Sequence, residues 1–188
     1  VLTCLYHHTM NVDPKDIQMP TRDRFILSKG HGAVCMYIVM ALRGFFDYDE
    51  IVRTYGKLDS AYGQHPCKVR LPGVETSTGS LGHGLAICVG LAAAAKTAGA
   101  KHRVFCMMGD GETCEGSVWE AAINGHALGL GNLVSVVRDP RFLLGPIAGQ
   151  VSAQGPQVGG AANGGVPLGS QGRQVALSPA DLLRQGAG

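Results

Sequence analysis

Gly109-Asp110-Gly111 is the stretch of this 188-residue chain best equipped for chemistry. It follows the apolar run Val104-Phe105-Cys106-Met107-Met108 and precedes a helical pattern, so it reads as a glycine turn at the end of a buried strand. Glycines in such a turn let backbone N–H groups approach an anion, and the following helix dipole favours negative charge. A carboxylate in the same turn repels a phosphate, and a divalent cation between the two removes the conflict. Mg²⁺ prefers a few protein oxygens together with phosphate oxygens, so Asp110 reads as a ligand that bridges to a diphosphate. The same sequence also serves as an ordinary tight strand-to-helix turn, and spacing alone does not separate the two.

The elements around the turn must hold it. Glu115 to Leu128 reads as a helix and Leu133 to Val137 as a second buried strand. Strand, glycine turn, helix and strand in that order predict a right-handed parallel βαβ unit, with ligands bound beyond the carboxyl ends of the strands. The expected fold class is therefore α/β, a parallel sheet flanked by helices. Upstream, Val1 to Met10 reads as the end of a helix and Arg24 to Leu27 as a short strand. His31 to Leu42 is a mostly apolar helix that ends before Gly44. Asp47, with Glu50 three positions on, marks a helix start at Tyr48. Gly82 to Ala98 is a long helix rich in Ala and Gly, suited to close packing on a sheet.

Bulk properties narrow the class further. The length fits one domain with a real core, hydrophobic residues make up 45%, and the mean hydropathy is +0.11. A net charge of +2 argues for neither nucleic acid nor a membrane surface as partner. The apolar stretch Leu85 to Ala95 is too short to span a bilayer. Val1 is not an initiator methionine and no secretion signal follows it, so the start reads as a truncation. The six cysteines form no CxxC pair; Cys4, Cys35, Cys88 and Cys106 lie in apolar segments and are expected to be buried, reduced thiols of a cytoplasmic protein. Composition changes at Arg138. From there to Gly188 there is no lysine, Phe142 is the sole aromatic, and Gly, Gln, Pro and Ala dominate. The expected organisation is a domain over 1–137 and a disordered or irregular tail over 138–188, with one short helix at Ser178-Pro179.

Four ordered blocks carry a resemblance to transketolases, thiamine-diphosphate enzymes. They are Asp23-Arg24-Phe25-Ile26-Leu27-Ser28-Lys29-Gly30-His31; Gly63-Gln64-His65-Pro66; Gly73-Val74-Glu75-Thr76-Ser77-Thr78-Gly79-Ser80-Leu81-Gly82; and the run from Gly109 to Ala122. The LSKGH stretch separates transketolases from related thiamine enzymes such as deoxyxylulose-phosphate synthases and dehydrogenase first components. The likeness runs from Val1 to Val137 and implies the thiamine-diphosphate-binding fold. It implies that His31 lies beside the cofactor diphosphate and the substrate, and that His65 touches the hydroxyl groups of the reacting carbon. Gly79, Ser80 and Leu81 would pack on the aminopyrimidine ring. Asp110 would hold Mg²⁺ or Ca²⁺, Gly111 would contact the diphosphate through its backbone, and Glu115 would help to link two active sites across a dimer. Trp119 reads as a core residue.

The chemistry implied is two-carbon ketol transfer between sugar phosphates, with histidines moving hydroxyl protons near neutral pH. The resemblance also implies a pyrimidine-binding domain or subunit, supplying the glutamate that activates the cofactor, in a homo- or hetero-oligomer. Three departures from the pattern stand beside it. The second metal ligand of the family falls on Pro140, and the neighbouring carboxylate of Asp139 is the candidate to supply the metal with an oxygen in its place. The likeness ends at the same point, and the family's Gly-His-Pro-Gly block is not among these residues. The alternative reading is a non-catalytic fragment or decayed homologue with an impaired metal site.

Overall fold

The computed structural model describes residues 1–138 and 176–177. Its centre is a sheet of three parallel strands, β1 (Arg24–Leu27), β2 (Val104–Gly109) and β3 (Leu133–Arg138), in the spatial order β1-β2-β3. A two-residue strand, β4 (Ala176–Leu177), pairs antiparallel with β3. The helices are α1 (Leu2–Cys4), running on as a π-helical turn over Leu5–Thr9, α2 (Ala33–Arg43), α3 (Tyr48–Thr54), α4 (Gly84–Thr97) and α5 (Gly116–Ala127). The expected α/β fold is thus the observed one, and β2–α5–β3 is its βαβ unit.

Strand β2 is hydrogen-bonded on both edges, with Phe105 opposite Phe25 on one side and opposite Val134 on the other. Side chains along a strand alternate between faces, so an unbroken apolar run supplies both. Phe105 and Met107 join Phe25, Leu27 and the α2 residues Met36, Tyr37 and Met40 in one cluster. Val104, Cys106 and Met108 join Ile26, Leu85 and Cys88 of α4, and Val118 and Ala122 of α5, in a second. Each buried Leu, Val, Met or Phe contributes about 1.5–3 kcal/mol, so the central strand anchors both layers.

Helix ends follow their local chemistry. Helix α2 stops at Gly44, whose φ of 100° lets its N–H reach back to the carbonyls of Met40 and Ala41. The Asp47 carboxylate caps α3 by accepting from the Asp49 N–H at 3.0 Å. Glu50 does not complete a capping box; its carboxylate instead accepts from the Tyr62 hydroxyl at 3.2 Å. Helix α4 begins at Gly84, two residues later than the start expected at Gly82, because Gly82 is held at φ +81°.

One expectation is corrected. Cys88 and Cys106 are buried, whereas Cys4 and Cys35 are exposed. An apolar neighbourhood in sequence does not decide which side of a helix a residue occupies, and these two face outward. All six cysteines are free thiols. The expected tail beyond Arg138 lies outside the described residues apart from Ala176 and Leu177, and so do Asp139, Pro140 and the helix expected at Ser178.

Candidate active site

Parallel pairing sets Leu27 opposite Met107, so β1 and β2 end side by side. The Ser28 N–H extends the ladder by one bond to the Met107 carbonyl at 2.9 Å. From there both chains turn: Gly30–Gly32 forms a single 3₁₀ turn leading into α2, and Gly111–Cys114 forms another leading to α5. His31 is exposed in the first turn and Asp110 opens the second, its side chain also exposed.

Glycine geometry shows how closely the blocks approach. A Cβ on Gly30 would lie 2.8 Å from the Thr78 carbonyl carbon and 2.9 Å from the Gly79 nitrogen. Both neighbours are backbone, so no side chain can be accommodated there. A Cβ on Gly79 would sit 3.3 Å from the His65 ring. The SKGH turn, the Thr78–Leu81 segment and the loop carrying His65 therefore stack in sequence. Gly79, Ser80, His31 and His65 are exposed, and Leu81 is half-buried.

The Gly109–Gly111 turn flanks this stack through Lys29, whose Cδ would be 3.7 Å from a Cβ on Gly109. Burial holds the Lys29 ammonium below its usual range, and the Arg138 charge pushes the same way; Asp110, Cys35 and Glu112 act in the opposite sense. The Asp110 carbonyl accepts from the Thr113 N–H at 3.0 Å and from its hydroxyl at 2.5 Å. Those bonds tighten the turn, and among the described residues the carboxylate has no hydrogen-bond partner. Among the described residues a Cβ on Gly111 would meet nothing within 4 Å, so that side of the turn is open to them. Its first N–H groups have no acceptor inside their own turn, as at any helical start.

Glu115 caps α5 with its backbone and is exposed. Its Cβ would be 2.7 Å from a Cβ on Gly82, and the Ser117 hydroxyl donates to the Gly82 carbonyl at 2.9 Å. Trp119 is half-buried against the second cluster and donates from Nε1 to the Thr113 carbonyl at 2.8 Å.

Sequence reasoning missed Glu112. An acid after a glycine turn reads as a favourable charge near a helix start, yet this one is only 2% exposed. Its carboxylate accepts from the Ser28 hydroxyl, from the Gly82 N–H at 2.8 Å and from the Gly109 N–H at 3.3 Å. Nothing in the local sequence points to it, because Ser28 and Gly82 come from distant parts of the chain.

An exposed carboxylate in a glycine turn at the end of β2, flanked by Lys29, fits a diphosphate carried with a divalent cation. Among the described residues no three His, Cys, Asp or Glu side chains gather as a metal site. Asp139, the other carboxylate expected to ligate a metal, lies outside the described residues.

A parallel sheet with such a turn beyond its strand ends defines a class, the α/β proteins that bind ligands at the carboxyl ends of their strands. The family model that matches, over residues 1–152, is "Transketolase, thiamine diphosphate binding domain". The chain belongs to the transketolase family. It is 47% identical over 136 residues to an apulose-4-phosphate transketolase subunit from Actinobacillus succinogenes, covering 72% of this chain and 49% of that protein. It is 36% identical to the 6-deoxy-6-sulfo-D-fructose transketolase subunit SqwG of a Clostridium species, covering 72% and 49%. Among solved structures, the transketolase from Leishmania mexicana superposes with a TM-score of 0.68 at 27% identity, covering 80% of this chain and 25% of that one. The transketolase of Pichia stipitis in complex with sedoheptulose 7-phosphate gives 0.66 at 34% identity, covering 69% and 21%. The chain thus spans about half the length of the subunit-type relatives.

Proposed function

We propose that this chain is the diphosphate-binding half of a transketolase whose pyrimidine-binding half is a second chain, and that together they move a two-carbon ketol unit between sugar phosphates. The observation that carries the reading is the convergence of four separate segments at the carboxyl ends of β1 and β2, with Asp110 exposed in the turn beside them. The subunit-type relatives, each about twice as long as the matched stretch, support a two-chain assembly, a hetero-oligomer at least. Six free thiols suit a cytoplasmic location.

Asp110 holds the cation, Mg²⁺ or Ca²⁺, and Gly111 offers its N–H to the diphosphate. Gly79, Ser80 and Leu81 form the wall for the aminopyrimidine. Bound thiamine diphosphate supplies the nucleophilic carbon and the electron sink for carbon–carbon cleavage. His31 and His65 take and return protons at the sugar hydroxyls, work suited to imidazoles near neutral pH. Glu115, exposed at the start of α5, faces the partner and links the two active sites.

Calorimetric titration of thiamine diphosphate with Mg²⁺ tests this reading, using the chain mixed with a transketolase pyrimidine-domain subunit. Uptake is expected with the mixture, and Asp110→Ala should weaken it beyond the roughly 10–100-fold typical of an outer-sphere metal partner. A mixture that takes up no cofactor overturns the assignment.

Pro140, where the family places a side-chain ligand, favours a second reading, a homologue with an impaired metal site. Pro140→Asn then restores Mg²⁺-dependent uptake to a wild type that lacks it; a wild type that already binds excludes this reading.

A further inference from the structure

We infer that Glu112 is the positioning residue of the cofactor cradle, locking together three chain segments that must approach the diphosphate from different directions. The inference rests on the proposed function for what is cradled, and on the structure alone for what is locked. Ser28 follows β1, Gly82 precedes α4, and Gly109 ends β2. The three meet at one carboxylate that is 2% exposed.

The directions of the bonds are fixed by proton counting. Gly82 and Gly109 present N–H groups, which only donate, at 2.8 and 3.3 Å. The Ser28 hydroxyl oxygen already accepts from the Gly84 N–H at 3.1 Å, which leaves its own proton for Glu112. Every partner of the carboxylate is therefore a donor, and a carboxylate is the side chain that accepts three without offering a proton. Through the Ser28 hydroxyl the lock reaches a third backbone N–H, that of Gly84, the first residue of α4.

Glutamine has the same shape but presents an NH₂ group where an acceptor is required. Glu112→Gln thus sets one donor against another in a site that water does not reach. A merely structural role would lower thermal stability and nothing more, so the comparison needs a destabilised control. Val104→Ala serves, since Val104 is fully buried at the opposite end of β2.

The test measures amide hydrogen exchange of Gly82, Gly84 and Gly109 in the full chain without cofactor, and the Kd for thiamine diphosphate with Mg²⁺ in the mixture with a pyrimidine-domain subunit. Glu112→Gln should speed exchange at all three amides together and raise the Kd roughly 10- to 100-fold, the consequence of losing charge-assisted bonds. Val104→Ala, at an equal or greater loss of Tm, should change neither. Exchange that is unaltered, or altered at one glycine only, overturns the inference, as does faster exchange at all three with an unchanged Kd. If the wild-type mixture binds no cofactor, the proposed function falls, and the exchange pattern still decides whether Glu112 locks the three segments.

Discussion

At the scale of single residues, the site depends on where the chain has no side chain. Gly30→Ala would force a Cβ to within 2.8–2.9 Å of backbone at Thr78 and Gly79, atoms that cannot swing away. It should cost about 3 kcal/mol or more, the upper range for overpacking, read as a lower midpoint in urea melts. Gly111→Ala meets open space and should leave stability within about 0.5 kcal/mol of wild type. Equal effects at the two positions would show that the segments do not touch as described. Asp110 could be singled out from the sequence by its glycine turn, and His31 by the block that carries the family resemblance. Glu112 could not, since its meaning arises from Ser28, 84 positions away, and burial is invisible in a local window. Cys35 shows the converse error, an apolar setting in sequence that proves to be an outward-facing helical position.

At the scale of elements, the strands were the most readable part. Arg24–Leu27 matches its sequence span, and β2 and β3 each run one residue further than their apolar runs. Continuous apolar runs have few other homes than a doubly covered strand. The π-helical turn at Leu5–Thr9 had no such signature. Helix α4 carries Gly90 in its exposed interior with nothing near a Cβ, so Gly90→Ala should raise stability by about 0.5–1 kcal/mol in thermal melts of the isolated chain.

Helix α2 predicts an alkaline limb. Burial pushes the Tyr37 phenol from 10.0 up to about 12, and the Cys106 thiol is raised well above 9.0 by its hydrogen bond with Cys88 and by burial. Between those values the unfolded chain has released protons that the folded chain still holds. Stability is therefore complete below about pH 9 and falls as pH rises towards 12. The Tyr37 hydroxyl is also buried and has no hydrogen-bond partner among the described residues. Tyr37→Phe should consequently preserve or raise the Tm at pH 7 and make the alkaline decline shallower. An unchanged decline would place the phenol in contact with solvent.

At the scale of the molecule, the two ends of the sheet are fastened differently. The end away from the site is closed by Asp23, whose buried carboxylate accepts from the Asn11 N–H at 3.0 Å and from the Arg103 N–H and guanidinium, both at 2.7 Å. Asp23→Ala should cost about 2 kcal/mol, below the figure for a fully buried pair because the Arg103 side chain is 43% exposed. That loss should appear in chemical melts while cofactor uptake at temperatures well below the Tm stays intact, since the clamp and the cradle lie at opposite strand ends. The order of the strands carries one more consequence. A ribosome delivers β1 long before β2, the strand that must lie between it and β3. The helical turn β2–α5–β3 can close on itself from near neighbours, whereas β1 must wait and then dock across a long closed loop. Until it docks, Phe25 and Leu27 have no sheet beside them. A nascent chain that carries β1 without β2 is thus expected to need a holdase, and stalled ribosomes carrying it should capture one until the strand ending at Gly109 has emerged.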